Sequence, residues 1–321
     1  MRKSALAAAA LIGLMAAGSA AAQEAPPPTP TPTAAAAVEE KEKEKVSFRP
    51  IESNLIVALP SVDVPAAGTL SFLVTHRFTQ RLQEGSINNF FTLDSGNTWG
   101  FGLWYAPIKN LNVGFHRSSQ LATYEASAQY ELPALHGFSS SVRLGEDWRT
   151  QVLEFGDETV PFAASPKSSF FAQAVLAYSF GPYARITVVP TYLQRINGIR
   201  FFVDSPPPRD RSCQPSSSPP PAFVCTGLYE NVFNVPVAAS IAVTHSITVH
   251  GEAIPRLSRV NASGVGWAVS VEKSLLRHRF AFFVGNQRST TVDQYAGAIP
   301  LGRSPSNIYI GFNLYRAWKL N

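Results

Sequence analysis

The chain has 321 residues, with 27 Lys+Arg against 22 Asp+Glu and a formal net charge of +5. A surplus this mild, and not gathered into a stripe, argues against a nucleic-acid partner. Nowhere does the sequence approach the 18 or so uninterrupted apolar residues that mark a helical membrane span, so spanning helices are excluded as well.

The first element is an export signal. Arg2 and Lys3 form a positive n-region, Ala5 to Ala17 an apolar h-region, and Ala20-Ala21-Ala22 before Gln23 a small-residue cleavage site. The apolar run is shorter than the roughly 20 residues that cross a bilayer, which disfavours a retained anchor. Residues 1–22 therefore read as a signal peptide. Residues 23–45 read as a linker, with Pro26-Pro27-Pro28-Thr29-Pro30 favouring polyproline II and an alternating charge run from Glu39 to Lys45. Residues 46–67 are a lead-in whose segment 51–64 reads as an extra strand, a plug or a simple approach to the domain that follows.

Residues 68–321 carry twelve β-segments with period-2 alternation. In the first, Leu70, Phe72, Val74 and Phe78 alternate with Ser71, Thr75, Arg77 and Thr79. Further on, Tyr124, Ala126, Ala128 and Tyr130 alternate with Glu125, Ser127, Gln129 and Glu131. The last sets Ile308, Ile310, Phe312 and Leu314 against Tyr309, Gly311, Asn313 and Tyr315. Every second connection is tight: Ala106–Lys109, Pro133–His136, Gly181-Pro182, Thr244–Ser246 and Ser274–Leu276. Most of the others are long and polar, at about 80–96, 150–167, 196–230 and 288–305. Short turns at one end and long loops at the other are the pattern of an outer-membrane barrel with periplasmic turns and extracellular loops. Segments near ten residues suit a tilted span better than the five or six of a globular strand, which sets a soluble sandwich second. Aromatics near the segment ends, such as Trp99, Tyr105, Phe138, Phe170 and Trp318, suit two interface belts. The expected fold is an all-β antiparallel transmembrane barrel of about twelve strands, or more if 51–64 joins the sheet. Both termini then lie in the periplasm. Pro190, Pro236 and Pro255 fall inside expected strands, where each removes a ladder hydrogen bond.

An Arg on the lipid face near midplane costs about 2–4 kcal/mol, so parity turns the strand arginines inward. The expected lumen charges are Arg77, Arg143, Arg149, Arg185, Arg195 and Arg279 with Glu125, Glu131, Asp147, Glu252 and Glu272. Spread apart, they form an eyelet that selects solutes by size and sign. Paired across a narrow lumen, they close it. The pore for small hydrophilic solutes is the leading expectation, and a closed structural or surface-binding barrel is the alternative. A third reading is a lipid hydrolase, because His116-Arg117-Ser118 sets a base and a nucleophile on one face of a strand. Parity turns that pair into the lumen, away from lipid.

Cys213 and Cys225 lie in the longest loop and are expected to pair in an exported protein, removing roughly 3 kcal/mol of loop entropy from the unfolded chain. No His accompanies them, so no metal site is expected there. No phosphate loop or metal-ligand spacing occurs elsewhere, and no cofactor is expected. Asn261-Ala262-Ser263 matches a glycosylation sequon but is uninformative in a bacterial export setting. The expected partners are outer-membrane lipid and small hydrophilic solutes, with the chain a monomer or weak oligomer.

Five strings stand in this order along the chain: Thr75-His76-Arg77-Phe78, Asn89-Phe90-Phe91-Thr92-Leu93-Asp94-Ser95-Gly96, Val113-Gly114-Phe115-His116-Arg117-Ser118-Ser119, Phe283-Val284-Gly285-Asn286-Gln287-Arg288-Ser289 and Gly311-Phe312-Asn313-Leu314-Tyr315-Arg316. Over roughly 65–318 this set resembles an uncharacterised family of bacterial outer-membrane β-barrel proteins, classed as a domain of unknown function. The resemblance implies an outer-membrane barrel and no assigned activity. The Pro/Ser/Cys-rich loop at 196–230 and the ending Trp318-Lys319-Leu320-Asn321 depart from the pattern.

Overall fold

The structure, a computed structural model, describes residues 54–94, 96–150, 168–196, 199–203, 213–215, 223–228, 231–255, 265–296 and 307–320. The expected signal peptide, the linker, the sequon and most of three long loops lie outside these residues.

Period-2 alternation becomes wall strands β1 (Thr69–Phe78), β2 (Asn97–Ile108), β3 (Leu111–Ser118), β4 (Thr123–Leu135), β5 (Phe138–Arg149) and β6 (Ser168–Phe180). The wall continues through β7 (Ala184–Val188) and β8 (Thr191–Ile196). A separate three-stranded sheet follows, made of β9 (Ile199–Val203), β10 (Cys213–Pro215) and β11 (Phe223–Leu228). The wall resumes with β12 (Asn231–Asn234), β13 (Val237–Ala242), β14 (Ile247–Ile254), β15 (Gly266–Leu275), β16 (His278–Gly285) and β17 (Tyr309–Lys319). Neighbouring wall strands are antiparallel, and β1 pairs with β17 in register from Thr69↔Lys319 to Arg77↔Gly311, which closes the cylinder.

Two of the spans are broken in the middle by proline. β6 pairs with β8 through its first half and with β7 through its second, while β8 meets β12 and β7 meets β13. The breaks fall at Pro190 and Pro236, which have no N–H to give the ladder. Each still accepts: Ala174 N–H donates to the Pro190 carbonyl at 3.0 Å and Val189 N–H to the Pro236 carbonyl at 2.8 Å. Counting β7/β8 and β12/β13 as one span each gives a closed antiparallel barrel of 12 strands. Pro255 differs from expectation: β14 ends at Ile254, so this proline follows a strand.

Three of the tight turns, after β2, β4 and β15, sit one or two residues beyond their expected centres, and those after β6 and β13 fall where expected. Leu135 pairs with Phe138, leaving His136-Gly137 as a two-residue turn with both φ positive, 46° and 82°. That is the hairpin geometry whose twist matches the flanking strands. Gly68 and Leu320 also lie at this end, where Leu320 N–H donates to the Gly68 carbonyl at 2.9 Å. The opposite end carries the long connections, except after β3, where a 3-10 turn at Gln120–Ala122 suffices.

The two faces of the wall differ as the alternation requires. Leu103, Phe115, Val142, Leu144, Val269, Val271, Phe280 and Phe282 are exposed on the outside. Ser71, Thr75, Asn112, Gln129, Ser141, Gln173, Ser240 and Asn313 are buried within. Trp104 is also buried on the inner side, and fits only because Gly102 and Gly114 flank it. A Cβ on either would lie 1.9 Å from the indole ring.

Candidate functional site

Two inserts fill the barrel interior. The first is the lead-in. Residues 54–64 form no pairing with the wall; their only ladder contact is a bridge between Leu55 and Pro60. Ile56 N–H donates to the Leu59 carbonyl at 2.8 Å and Ser61 N–H to the Asn54 carbonyl at 3.1 Å. The segment is thus a narrow finger that rises from the tight-turn end, turns at 56–59 and descends into β1. Its residues from Asn54 to Val62 are buried.

A turn buried among side chains must find partners for its backbone. Glu252 supplies most of them. Its carboxylate accepts from Val57 N–H at 2.8 Å, Ala58 N–H at 3.0 Å and Leu59 N–H at 3.1 Å. Asn313 Nδ2 and Arg77 Nη2 donate to the Val57 carbonyl at 3.0 and 3.3 Å. Lower down, Gln129 donates to the Ser61 carbonyl at 2.7 Å and Asn112 to the Asn54 side chain at 2.6 Å. At the base, Glu131 accepts from Val64 N–H at 3.0 Å, and Arg185 holds Asp63 at 2.6 Å.

The second insert enters from the long-loop end. After β16 the chain folds inward, and residues 289–296 are all buried. They carry a one-turn helix, Val292–Tyr295. Its first N–H groups meet two wall carboxylates: Val292 N–H donates to Glu125 at 3.1 Å and Asp293 N–H to Asp147 at 2.7 Å. Arg149 Nε donates to the Asp293 carboxylate at 2.6 Å. Thr290 meets Ser118 at 2.7 Å, and Gln173 donates to the Tyr295 hydroxyl at 2.6 Å. Burial raises the Tyr295 hydroxyl above the ordinary tyrosine range, so it stays neutral there.

The inserts meet. Ile56, Val57, Ala58 and Leu59 of the finger share one apolar cluster with Val292, Tyr295 and Ala296 of the second insert. Wall residues Phe171, Leu193, Val232, Ile254 and Phe283 complete it. A dry core therefore sits inside a polar-walled barrel. Each large side chain buried in it contributes about 1.5–3 kcal/mol relative to exposure.

The expected lumen charges are engaged in this packing. Arg143 pairs with Glu125, and its guanidinium also donates to Gln173 at 2.9 Å. Arg279 donates to Glu272 at 3.0 Å, and His250, hydrogen-bonded to Ser240 at 2.8 Å, lies 3.8 Å from the same carboxylate. Arg77 lies 4.2 Å over the Phe283 ring. Of the two expectations, a narrow charged pore and a closed barrel, the conformation described is filled: finger, second insert and apolar cluster occupy the space between these charges. The side chain of Arg195 lies outside the described residues. Cys213 and Cys225 face one another in the β10–β11 register. Among the described residues no cluster of His, Cys, Asp and Glu is placed to hold a metal ion.

A family model described as "Membrane bound beta barrel domain (DUF5777)" matches residues 51–318. The chain belongs to this family of membrane-bound β-barrel domains. The match takes in the finger together with the wall. No curated protein matches the sequence. Among solved structures, the NanC porin aligns at TM-score 0.40 and 7% identity, over 77% of this chain and 98% of that one. An outer membrane channel from Pseudomonas putida F1 aligns at 0.43 and 10%, over 80% and 97%. Outer membrane phospholipase A from Escherichia coli aligns at 0.36 and 10%, over 79% and 93%. None of these values transfers an activity to the family member described.

The His116/Ser118 pair is placed against a lipid hydrolase. Both side chains are on the inner face of β3, with 1% and 0% exposure. The Ser118 hydroxyl engages Thr290 and Gln120 N–H, and the His116 ring stacks on Trp104 at 5.9 Å. In the conformation described, neither side chain reaches the lipid-facing side of the wall.

Two carboxylates that pair with expected lumen arginines were not foreseen from the sequence, Asp63 and Asp293. Both lie outside the wall strands, so strand parity carried no information about them. A faint signal existed at Thr291-Val292-Asp293-Gln294, which has the Thr-x-x-Gln form of a helix start. Gln294 does reach back, accepting from Thr290 N–H at 3.0 Å.

Proposed function

We propose that this protein is an outer-membrane barrel, closed at rest, that passes small hydrophilic solutes when the finger 54–64 withdraws toward the tight-turn end. That end faces the periplasm in this reading, as expected for short turns, and residues 1–22 are the signal that brings the chain there. The observation that carries the proposal is the mode of attachment at the fingertip. One carboxylate, Glu252, holds three consecutive N–H groups, and no wall strand has to break for the finger to leave. Withdrawal bares Arg77, Arg143, Arg279, Glu252 and Glu272 to water, a mixed-charge constriction that favours small polar solutes over large or apolar ones.

Single-channel recording in planar bilayers tests this. Wild-type protein is expected to be silent for most of the record. A variant lacking residues 54–64, shown to be folded by its heat-modifiable gel migration, is expected to conduct in discrete steps. A folded deletion variant that stays silent at high salt sinks the finger as the gate, and silence that persists when 289–296 is replaced as well sinks the pore reading. One observation favours the alternative, a permanently closed barrel: the second insert blocks the interior from the other end through the Arg149–Asp293 pair. Silence after removal of the finger, followed by conductance only when 289–296 is also replaced by a Gly/Ser loop, assigns the block to that insert.

A further inference from the structure

The outer wall carries a charge in the wrong solvent. On β5 the outward side chains run Val142, Leu144, Glu146 and Trp148 toward the long-loop end. Trp148 stacks with Tyr124 at 5.9 Å, and Arg117 lies 4.9 Å over Trp99 and 5.4 Å over Tyr124. Aromatics and an arginine at one level mark the interface belt. Glu146 lies one outward position inside that belt, on the hydrocarbon side. It is exposed, and among the described residues it has no hydrogen bond or ion pair. An ionised carboxylate facing hydrocarbon is costly unless a cationic partner meets it.

Glu146 also borders a groove of about 680 Å³ on the outer wall. That lies within the roughly 300–1,000 Å³ typical of ligand sites. Register explains its shape. Leu103, Phe115, Ala126, Glu146 and Phe170 form one outward row across β2 to β6. Tyr105, Val113, Ala128 and Leu144 form the next row toward the tight-turn end. The floor dips at β4, where each row has an alanine, Ala126 and Ala128. The groove therefore runs obliquely down the wall from a lone carboxylate, with apolar sides and an apolar floor.

We propose that this groove holds one acyl chain of a membrane lipid whose headgroup carries a primary amine, with the ammonium paired to Glu146; phosphatidylethanolamine serves as the probe of that chemistry. Charge complementarity selects the headgroup. The groove asks for a cation that donates hydrogen bonds, at the top of a slot shaped for a chain. Arg117, two strands away and nearer the water, suits the phosphate of the same headgroup. The primary amine separates the occupant from phosphatidylcholine, whose quaternary ammonium has no N–H, and from phosphatidylglycerol, which has no cation.

The test is native mass spectrometry of the detergent-purified full chain after exchange into mixed micelles. The micelles contain phosphatidylethanolamine, phosphatidylcholine or phosphatidylglycerol with identical acyl chains. Wild type is expected to retain one phosphatidylethanolamine about tenfold more than either competitor, the ratio that a charge-assisted hydrogen bond gives. Glu146→Gln is expected to level the three. Ala126→Phe, which fills the slot, is expected to lose all three while keeping the heat-modifiable migration of a folded barrel. Equal retention of the three lipids by wild type overturns the proposal, as does an unchanged preference in Glu146→Gln. A protein dimer that Ala126→Phe dissolves also overturns it, by making a second copy the occupant.

Discussion

Single side chains decide what the interior does. Glu252 offers two oxygens to three N–H groups of the fingertip, all away from water. Removing the acceptor strands buried donors at about 1–3 kcal/mol each. Glu252→Ala is therefore expected to loosen the fingertip while the wall persists. Hydrogen exchange at Val57, Ala58 and Leu59 is expected to quicken at least about tenfold, with β1 and β17 amides unchanged. Unchanged exchange at the tip would mean that Arg77 and Asn313 suffice. Arg149 and Asp293 are a different case, since both are buried and each is the other's partner. Taking away one member of such a pair costs about 3–5 kcal/mol, because the remaining charge stays desolvated. Arg149→Met is expected to lower barrel stability in urea by that order, and Arg149→Met combined with Asp293→Leu to recover most of it. Failure of the double variant to recover would assign the loss to packing at Arg149 and not to the stranded carboxylate.

At the scale of elements, alternation says much about the wall and little about what fills it. Inward and outward sets are legible in β1, β4 and β17 because the side-chain period of a strand is two and the outer solvent is apolar. The twelve spans follow from the same pattern, and the tight turns expected at Pro133–His136 and Gly181-Pro182 lie within about two residues of the observed reversals, where His136, Gly137 and Gly181 have positive φ. The prolines were legible as anomalies, but their effect was not. Only the pairing of β6 with both β7 and β8 shows that Pro190 divides a span without ending it. The finger was unreadable for a physical reason. Leu55-Ile56-Val57-Ala58-Leu59 is an apolar run with no period, equally suited to a strand or a buried turn. Its polar needs are met by Glu252 and Arg77, residues 193 to 195 and 20 positions away, a distance that no local pattern encodes. The glycines opposite Trp104 were likewise silent until the indole was placed. Gly114→Ala is expected to expel that ring, seen as a red shift of tryptophan emission together with slower refolding into micelles. An unshifted spectrum would mean that β3 moves instead. In the β9–β11 sheet, Cys213 and Cys225 are directly opposed in register. Free-thiol titration of the unfolded, unreduced chain is expected to find none, and two reactive thiols would refute the crosslink.

For the molecule as a whole, the main finding is that a barrel of this size is filled by its own chain. Small barrels are packed with wall side chains and large ones hold water or a plug. This one does both, with polar side chains lining the wall and backbone from two inserts completing the centre. The lumen charges were legible as a list of like-facing residues. The partners of Arg185 and Arg149 were not, because Asp63 and Asp293 arrive from segments outside the sheet.

The meeting of the two inserts has a thermodynamic corollary. Ile56 to Leu59 and Val292, Tyr295 and Ala296 belong to one buried apolar cluster, so the free energy of holding either insert contains a shared term. Coupling of this kind is reciprocal. A ligand that pulls residues 289–296 outward weakens the finger by the factor by which finger withdrawal would strengthen that ligand's binding. The two faces of the membrane are thereby in contact through a few side chains at the barrel's middle.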